Sequence, residues 1–126
     1  MAIDTSIRVM VVDDFATMRR IIKGALKQLG FSDIIEAEDG DLAFKMLKKD
    51  KVGLIVSDWN MPNMTGIDLL KAVRQDSNLK GTPFIMVTAE GQKDNIIQAV
   101  QSGVSNYVVK PFTPETSNKK VTTVLS

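Results

Sequence analysis

The sequence contains neither cysteine nor histidine. The absence of cysteine excludes disulfides, thiolate catalysis and cysteine-based metal sites, and it fits a reducing compartment. Without imidazole, the chain has no histidine base, lacks the usual zinc ligands and cannot perform an internal His-to-Asp phosphoryl relay. Its chemistry must therefore rest on carboxylates, hydroxyls and amines.

A strong charge and long apolar segments are also missing. The formal net charge of +1 gives no bulk attraction to nucleic acid, which is therefore not expected as a partner. No apolar run approaches the roughly 20 residues of a membrane span. The polar start, which contains Asp4, is unlike a signal peptide. We therefore expect a cytoplasmic protein without membrane insertion, whose 126 residues form one domain.

Five apolar runs alternate with five segments of helical spacing. The runs predict strands at Arg8–Val12, Ile34–Ala37, Gly53–Ser57, Phe84–Val87 and Tyr107–Val109. The intervening segments predict helices at Thr17–Leu29, Gly40–Lys49, Ile67–Val73, Asp94–Gln101 and Glu115–Ser126. This alternation predicts an α/β fold, a doubly wound parallel sheet with helices on both faces. Right-handed crossovers restrict the strand order but alternation alone does not determine it.

Polar side chains follow four of the five runs. Asp13 and Asp14 follow the first, and Asp58, Thr88 and Lys110 follow the third, fourth and fifth. Because open α/β sheets bind ligands at the carboxyl ends of their strands, we expect these residues to share one crevice. Clustered carboxylates raise one another's pKa, and a hard cation relieves this; oxygen ligands alone favour Mg²⁺ over Zn²⁺. Asp58 could then act as a nucleophile towards phosphorus, with Lys110 and Thr88 stabilising the phosphoryl oxygens.

Each of these residues also has a purely structural interpretation. Aspartates and threonines at strand ends often cap helices, a lysine there can be a solvated charge, and Trp59 or Tyr107 can be core aromatics. The combination is more specific than any member. A magnesium-dependent phosphatase with an aspartate nucleophile stays open as an alternative, although that class usually has a second acid where this chain has Asn60. A dinucleotide enzyme is disfavoured, because no Gly-x-Gly-x-x-Gly follows the first run.

The sequence resembles a response-regulator receiver domain from about Val9 to Pro114. The matching stretches are Val11–Phe15 with Thr17–Arg20, Glu36–Gly40, Ser57–Met64, Met86–Glu90 and Tyr107–Thr113. Asp-Trp-Asn-Met-Pro-Asn-Met and Asp-Asp-Phe-x-Thr-Met-Arg-Arg narrow the resemblance to the chemotaxis branch of the family. The resemblance implies a flavodoxin-like sheet with strand order 2-1-3-4-5. It also implies a single receiver domain over residues 1–126 with no output domain.

The resemblance also implies roles for individual residues. Asp58 is the phosphoacceptor, assisted by Lys110 and Thr88. The magnesium pocket consists of Asp13, Asp14, Asp58 and the backbone carbonyl of Asn60. Thr88 and Tyr107 form the switch pair, with Tyr107 turning inward on activation. Asn60 and Glu90 tune hydrolysis and phosphatase access, and the Lys110–Pro111 peptide bond is cis.

The same resemblance implies partners. The phosphodonor is a phosphohistidine on a chemotaxis histidine kinase, and the phosphorylated form binds the flagellar motor switch through helix 4, strand 5 and helix 5. A phosphatase is a further candidate partner. The protein is then a signalling switch rather than an enzyme, although it assists its own phosphorylation and dephosphorylation. A relay or phosphate-sink receiver without motor binding is the alternative.

The chain departs from the family pattern at one loop position and in its tail. Thr65 stands where the family usually has Asp, in a loop outside the pocket. Between Glu115 and Ser126, only Val121, Val124 and Leu125 are apolar, and Val-Thr-Thr-Val is a poor helix-forming sequence. We therefore expect helix 5 to be short or frayed. A monomer is expected, with self-association through an exposed apolar patch on the altered tail as the alternative.

Overall fold

The computed structural model describes residues 3–89, 93–110 and 114–125. Its strands are β1 (Val9–Val12), β2 (Ile34–Ala37), β3 (Leu54–Asp58), β4 (Phe84–Ala89) and β5 (Asn106–Lys110). Its helices are α1 (Ala16–Leu29), α2 (Gly40–Lys49), α3 (Gly66–Gln75), α4 (Lys93–Gln101) and α5 (Pro114–Leu125). The predicted five-fold alternation is confirmed, with boundaries that differ by one or two residues at most strand ends.

The five strands form one parallel sheet with the order β2-β1-β3-β4-β5, which confirms the expected flavodoxin-like topology. In the centre, Val12 pairs with Ala37 on one side and with Ser57 on the other. Because the chain moves from β1 to β2 and then crosses back to β3, the strand order reverses between β1 and β3. A crevice opens at such a reversal, beyond the carboxyl ends of the two strands.

The core lies on both sides of this sheet. Alternate residues of β1 and β3, such as Met10 and Ile55, pack with α2, α3 and Ala99 of α4. The other residues of these strands, such as Val11 and Val56, pack with α1 and α5. Every residue of β1 is buried, as is typical of a central parallel strand. Helices therefore cover both faces, as the alternation predicted.

Most of the predicted apolar helix faces are buried, but not all of their members. Ile67, Leu70 and Val73 of α3 are buried, whereas Ile21 of α1 and Leu42 of α2 are exposed. In α1 and α2, the apolar face of the helix is therefore wider than the part of it that contacts the sheet. Among the described helices, none combines the length and the apolar character that crossing a membrane requires.

The fifth helix covers 12 residues, as many as the predicted segment Glu115–Ser126, so the expected shortening is not seen, while fraying of its ends stays a prediction. Val121 is only 2% exposed, in a cluster that α1 also joins, and this burial outweighs the poor helix propensity of the segment. The hydroxyls of Thr122 and Thr123 donate to the carbonyls of Asn118 and Lys119 one turn earlier, so they are satisfied within the helix.

Candidate functional site

Three aspartates meet at the crevice between β1 and β3. Asp13 follows β1 and Asp58 ends β3, and these strands are neighbours in the sheet. One carboxylate oxygen from each of Asp13, Asp14 and Asp58 lies within 4.8 Å of the other two. Asp13 is fully buried and Asp58 is 4% exposed, whereas Asp14 lies at the surface. The structure therefore brings together the three acids that the sequence placed at strand ends.

A lysine from the edge strand reaches this cluster. The Nζ atom of Lys110, the last residue of β5, donates to Oδ1 of Asp58 across 2.9 Å. The two residues are 52 positions apart in the chain and are separated in the sheet by β4. Because the carboxylate is buried, this charge-assisted hydrogen bond holds Asp58 in one orientation. The solvated-charge interpretation of Lys110 does not describe this geometry.

Thr88 lies in β4, between the strands of Asp58 and Lys110. Its side chain is 2% exposed, and its Oγ1 atom has no hydrogen-bond partner among the described residues. A buried hydroxyl without a partner costs free energy, so it is an unusual component of a core. On the strand between those of Asp58 and Lys110, such a hydroxyl is available to a ligand that brings its own acceptor.

The environment of Asp13 disfavours the ionised form of its carboxyl group. Burial raises the pKa of Asp13 to about 6, and the negative charges of Asp58 and Asp14 act in the same direction. The backbone N–H of Phe15 donates to Oδ1 at 2.9 Å and opposes the shift, as does Lys110. The second oxygen, Oδ2, is buried without a partner in the described ranges. An all-oxygen cluster with an unpartnered buried carboxylate oxygen fits a hard divalent cation such as Mg²⁺.

The backbone after Asp58 is held tightly. The N–H of Trp59 donates to the carbonyl of Val87 at 3.0 Å, and the N–H of Gly66 donates to the carbonyl of Trp59 at 2.8 Å. A Cβ atom at Gly66 would lie 2.1 Å from the carbonyl oxygen of Asp58. The segment that carries Asn60, whose side chain is exposed, thus leaves β3 along a path that requires glycine at position 66. The predicted third helix begins only at Ile67, so this contact of Gly66 was not predicted.

Tyr107 lies in β5, which β4 separates from the strand of Asp58. In the β4–β5 pairing, Met86 faces Tyr107 and Thr88 faces Val109. Because paired residues and their i+2 neighbours share a face of the sheet, Thr88 and Tyr107 lie on the same face. Tyr107 is half-buried, and the Nζ atom of Lys120 lies 5.1 Å from its ring centroid. The inward turn of Tyr107 stays a prediction.

Two further predictions fall on residues that the structure does not describe. Glu90, expected to tune hydrolysis, lies outside the described ranges, as does Pro111, expected to follow a cis peptide bond. Sequence reasoning also overlooked one side chain near the site. Arg19 was part of a motif only, yet its Nη1 atom donates to the carbonyl of Asp13 at 2.7 Å.

The chain thus combines the strand order β2-β1-β3-β4-β5 with three acids and a lysine at the carboxyl edge of the sheet. The sequence profile of the response regulator receiver domain matches residues 9–122. The chain belongs to this family. The receiver domain thus covers nearly all of the described chain, and the family resemblance is confirmed.

The individual relatives are chemotaxis proteins. The chemotaxis protein CheY of Pseudomonas aeruginosa is 54% identical over 114 residues, which cover 90% of this chain and 92% of that protein. The chemotaxis protein CheY-3 of Vibrio cholerae is 50% identical over 119 residues, covering 94% and 92% of the two chains. The solved structure of the chemotaxis response regulator CheY4 of Vibrio cholerae superimposes with a TM-score of 0.87 at 36% identity, covering 95% of this chain and 99% of that one. These similarities support a chemotaxis response regulator of a two-component system.

Proposed function

We propose that this receiver protein is a phosphorylation-controlled switch in chemotaxis that accepts a phosphoryl group on Asp58. The observation that carries the proposal is the buried Asp58 carboxylate, which Lys110 holds at 2.9 Å beside Asp13 and Asp14. A structural cap would need neither the lysine nor the other two acids. The protein works in the cytoplasm, where its kinase supplies the phosphoryl group.

The donor is a phosphohistidine on a chemotaxis histidine kinase, as the family resemblance implies, and it lies on another protein because this chain has no histidine of its own. An oxygen of Asp58 attacks the phosphorus, an O–P bond forms and the N–P bond breaks. The imidazole nitrogen leaves with the electron pair and regains a proton. The product is an acyl phosphate, which adds roughly one negative charge to Asp58. The ammonium of Lys110 and the hydroxyl of Thr88 stabilise the transferred oxygens by charge and by hydrogen bonding.

The chain's residues suit one magnesium ion. Asp13, Asp14, Asp58 and the backbone carbonyl of Asn60 would hold it, and the partnerless oxygen of Asp13 supports this set. When bound, the ion neutralises charge on the phosphoryl oxygens and orients them for transfer. Burial keeps the Asp13 carboxylate away from bulk water, so water screens its electrostatic interaction with a bound cation only weakly.

The output is a change at the Thr88–Tyr107 face of the sheet. The hydroxyl of Thr88 turns towards the phosphoryl group, which opens the space into which Tyr107 moves. The phosphorylated form then binds the flagellar motor switch through α4, β5 and α5. Ile97 and Val100 of α4 are 55% and 60% exposed, which supports a binding role for that helix. Asn60 and Glu90 tune hydrolysis and the access of a phosphatase.

Two alternatives follow from the same site. A relay or sink receiver would use the same Asp58 chemistry and bind no motor protein. A magnesium-dependent phosphatase is less well supported, because the exposed side chain two residues after Asp58 is the amide of Asn60 and not an acid. The switch is therefore preferred to an enzyme.

The test uses Trp59, which is adjacent to Asp58 and is the single tryptophan of the sequence. Magnesium and then acetyl phosphate are added while Trp59 fluorescence is recorded, and intact mass reports the phosphoryl group. The expected result is a response to both additions that Asp58→Asn abolishes for the phosphodonor. Equal behaviour of the folded variant and the unaltered protein would refute Asp58 as the acceptor. A pull-down with motor-switch peptide, compared with a kinase docking domain, separates motor binding from the relay.

A further inference from the structure

Arg19 of α1 connects the end of β1 to β2. Its Nη1 atom donates to the carbonyl oxygen of Asp13 at 2.7 Å, and its Nε atom donates to Oε1 of Glu36 at 2.9 Å. The other oxygen of Glu36 accepts from Nζ of Lys23, one helical turn further on, at 3.0 Å. The side chain of Arg19 is only 18% exposed. One planar group thus bridges the carboxyl end of a central strand and a braced carboxylate on the next strand.

The carbonyl that Arg19 contacts is well placed to control the acidic cluster. The N–H of Asp13 is held by the carbonyl of Ala37 at 3.1 Å, and the side chain of Asp13 is held by the N–H of Phe15. The carbonyl of Asp13 belongs to the next peptide unit, which leads into Asp14. The direction of this peptide plane determines where the Cα–Cβ bond of Asp14 points. Arg19 therefore acts on the backbone joint between two acids of the cluster.

We propose that Arg19 is a positioning residue of the metal site, which aims the Asp14 carboxylate by fixing the Asp13–Asp14 peptide. The inference rests on the proposed magnesium site and adds a residue outside its ligand set. The guanidinium is rigid, so the bond to Glu36 sets the direction of the bond to the Asp13 carbonyl. Groups that orient metal ligands from outside the coordination sphere typically change metal affinity by about 10-fold to 100-fold when they are removed.

Charge alone predicts the opposite effect, which makes the inference easy to test. Arg19 is a cation close to a site for another cation, so removal of its charge should tighten magnesium binding if electrostatics dominates. If Arg19 positions Asp14, its removal should weaken binding. The sign of the change in affinity therefore distinguishes the two effects.

The experiment is isothermal titration calorimetry with Mg²⁺ alone, on the full chain. Arg19→Met is expected to weaken binding about 10-fold. Arg20→Met is the matched control, because it removes the same charge from the next, exposed position of α1, and it should bind as the unaltered protein does or slightly tighter. Arg19→Lys keeps the charge and loses the planar fork, so it should also bind more weakly.

Two results of the titration would overturn the inference. One is that Arg19→Met binds Mg²⁺ as tightly as the unaltered protein or more tightly, and the other is that Arg19→Lys binds Mg²⁺ as tightly as the unaltered protein. Thermal unfolding in EDTA adds a structural readout: reduced stability with unaltered magnesium affinity would show that Arg19 only supports the fold. If Arg19→Met does not fold, the lysine variant decides. Absence of magnesium binding to the unaltered protein would remove the proposed function and this inference together.

Discussion

Gly66, the first residue of α3, touches the carbonyl of Asp58 so closely that a Cβ atom there would lie 2.1 Å from the oxygen. The N–H of Gly66 also donates to the carbonyl of Trp59 at 2.8 Å. The start of α3 therefore rests directly on the backbone that carries the proposed phosphoacceptor. Any side chain at position 66 must push the helix and this backbone apart.

Gly66→Ala is expected to destabilise the protein by about 1–3 kcal/mol, the usual cost of overpacking, and to weaken magnesium binding. Urea denaturation and magnesium titration measure the two effects. Gly24→Ala is the matched control, because a Cβ atom at Gly24, in the middle of α1, meets no described atom within 4 Å apart from its chain neighbours and the backbone of its own helix. It should stabilise the protein by about 1 kcal/mol. Equal effects of the two substitutions would contradict the proposed contact.

Asp13→Asn is expected to stabilise the metal-free protein at neutral pH. Burial raises the pKa of Asp13 from 3.8 to about 6, so the folded protein binds more protons than the unfolded chain between these values. Its stability therefore falls as pH rises through this window and then stays level. The advantage of the amide variant should grow over the same window and reach about 1–3 kcal/mol above pH 6. Denaturation in EDTA at a series of pH values measures it.

Magnesium should reverse the order of these two proteins. A ligand that binds only the folded state stabilises it according to its concentration and affinity. Unaltered protein should gain stability with added Mg²⁺, whereas Asp13→Asn should gain much less. A variant that is less stable than the original at pH 8 in EDTA would show that burial of the Asp13 charge is not destabilising.

Thr88→Val tests the buried hydroxyl. Since Oγ1 of Thr88 has no partner among the residues described, its removal should leave stability unaltered or increase it by up to about 1 kcal/mol. The same change should abolish partner binding after phosphorylation, because the hydroxyl is the proposed donor to the phosphoryl group. Thr88→Ser keeps the hydroxyl and should retain the response. Loss of stability on Thr88→Val, measured by thermal unfolding, would indicate a structural role instead.

Val121→Ala tests whether α5 is held by its contacts with the core. Val121 is 2% exposed, so its truncation should cost about 1.5–3 kcal/mol. Lys119→Ala, at an exposed position of the same helix, should change stability by less than about 0.5 kcal/mol. Denaturation midpoints report both, and light scattering at high concentration should find a monomer for the unaltered chain. Similar small effects of both substitutions would mean that α5 does not depend on this contact.

Much of the fold was predictable from local patterns. Short apolar runs such as Leu54–Val56, bounded by polar residues, predict buried strands wherever they occur, and the alternation with helices then restricts the topology. The candidate site was predictable for the same reason, since Asp13 and Asp58 directly follow such runs. Helix propensity wrongly favoured a shortened α5, because propensity is a local property and burial of Val121 is a tertiary one.

The sequence by itself determined the order of the elements, the polar residues at the strand ends, the family resemblance and the absence of an internal histidine. The tertiary structure decided which of these residues touch. Lys110 meets Asp58 across 52 positions, Arg19 reaches both Asp13 and Glu36, and Gly66 lies against the Asp58 carbonyl. Such contacts depend on how the crossovers bring distant strands and helices together. Periodicity and propensity describe only neighbours along the chain, so they carry no information about these distances.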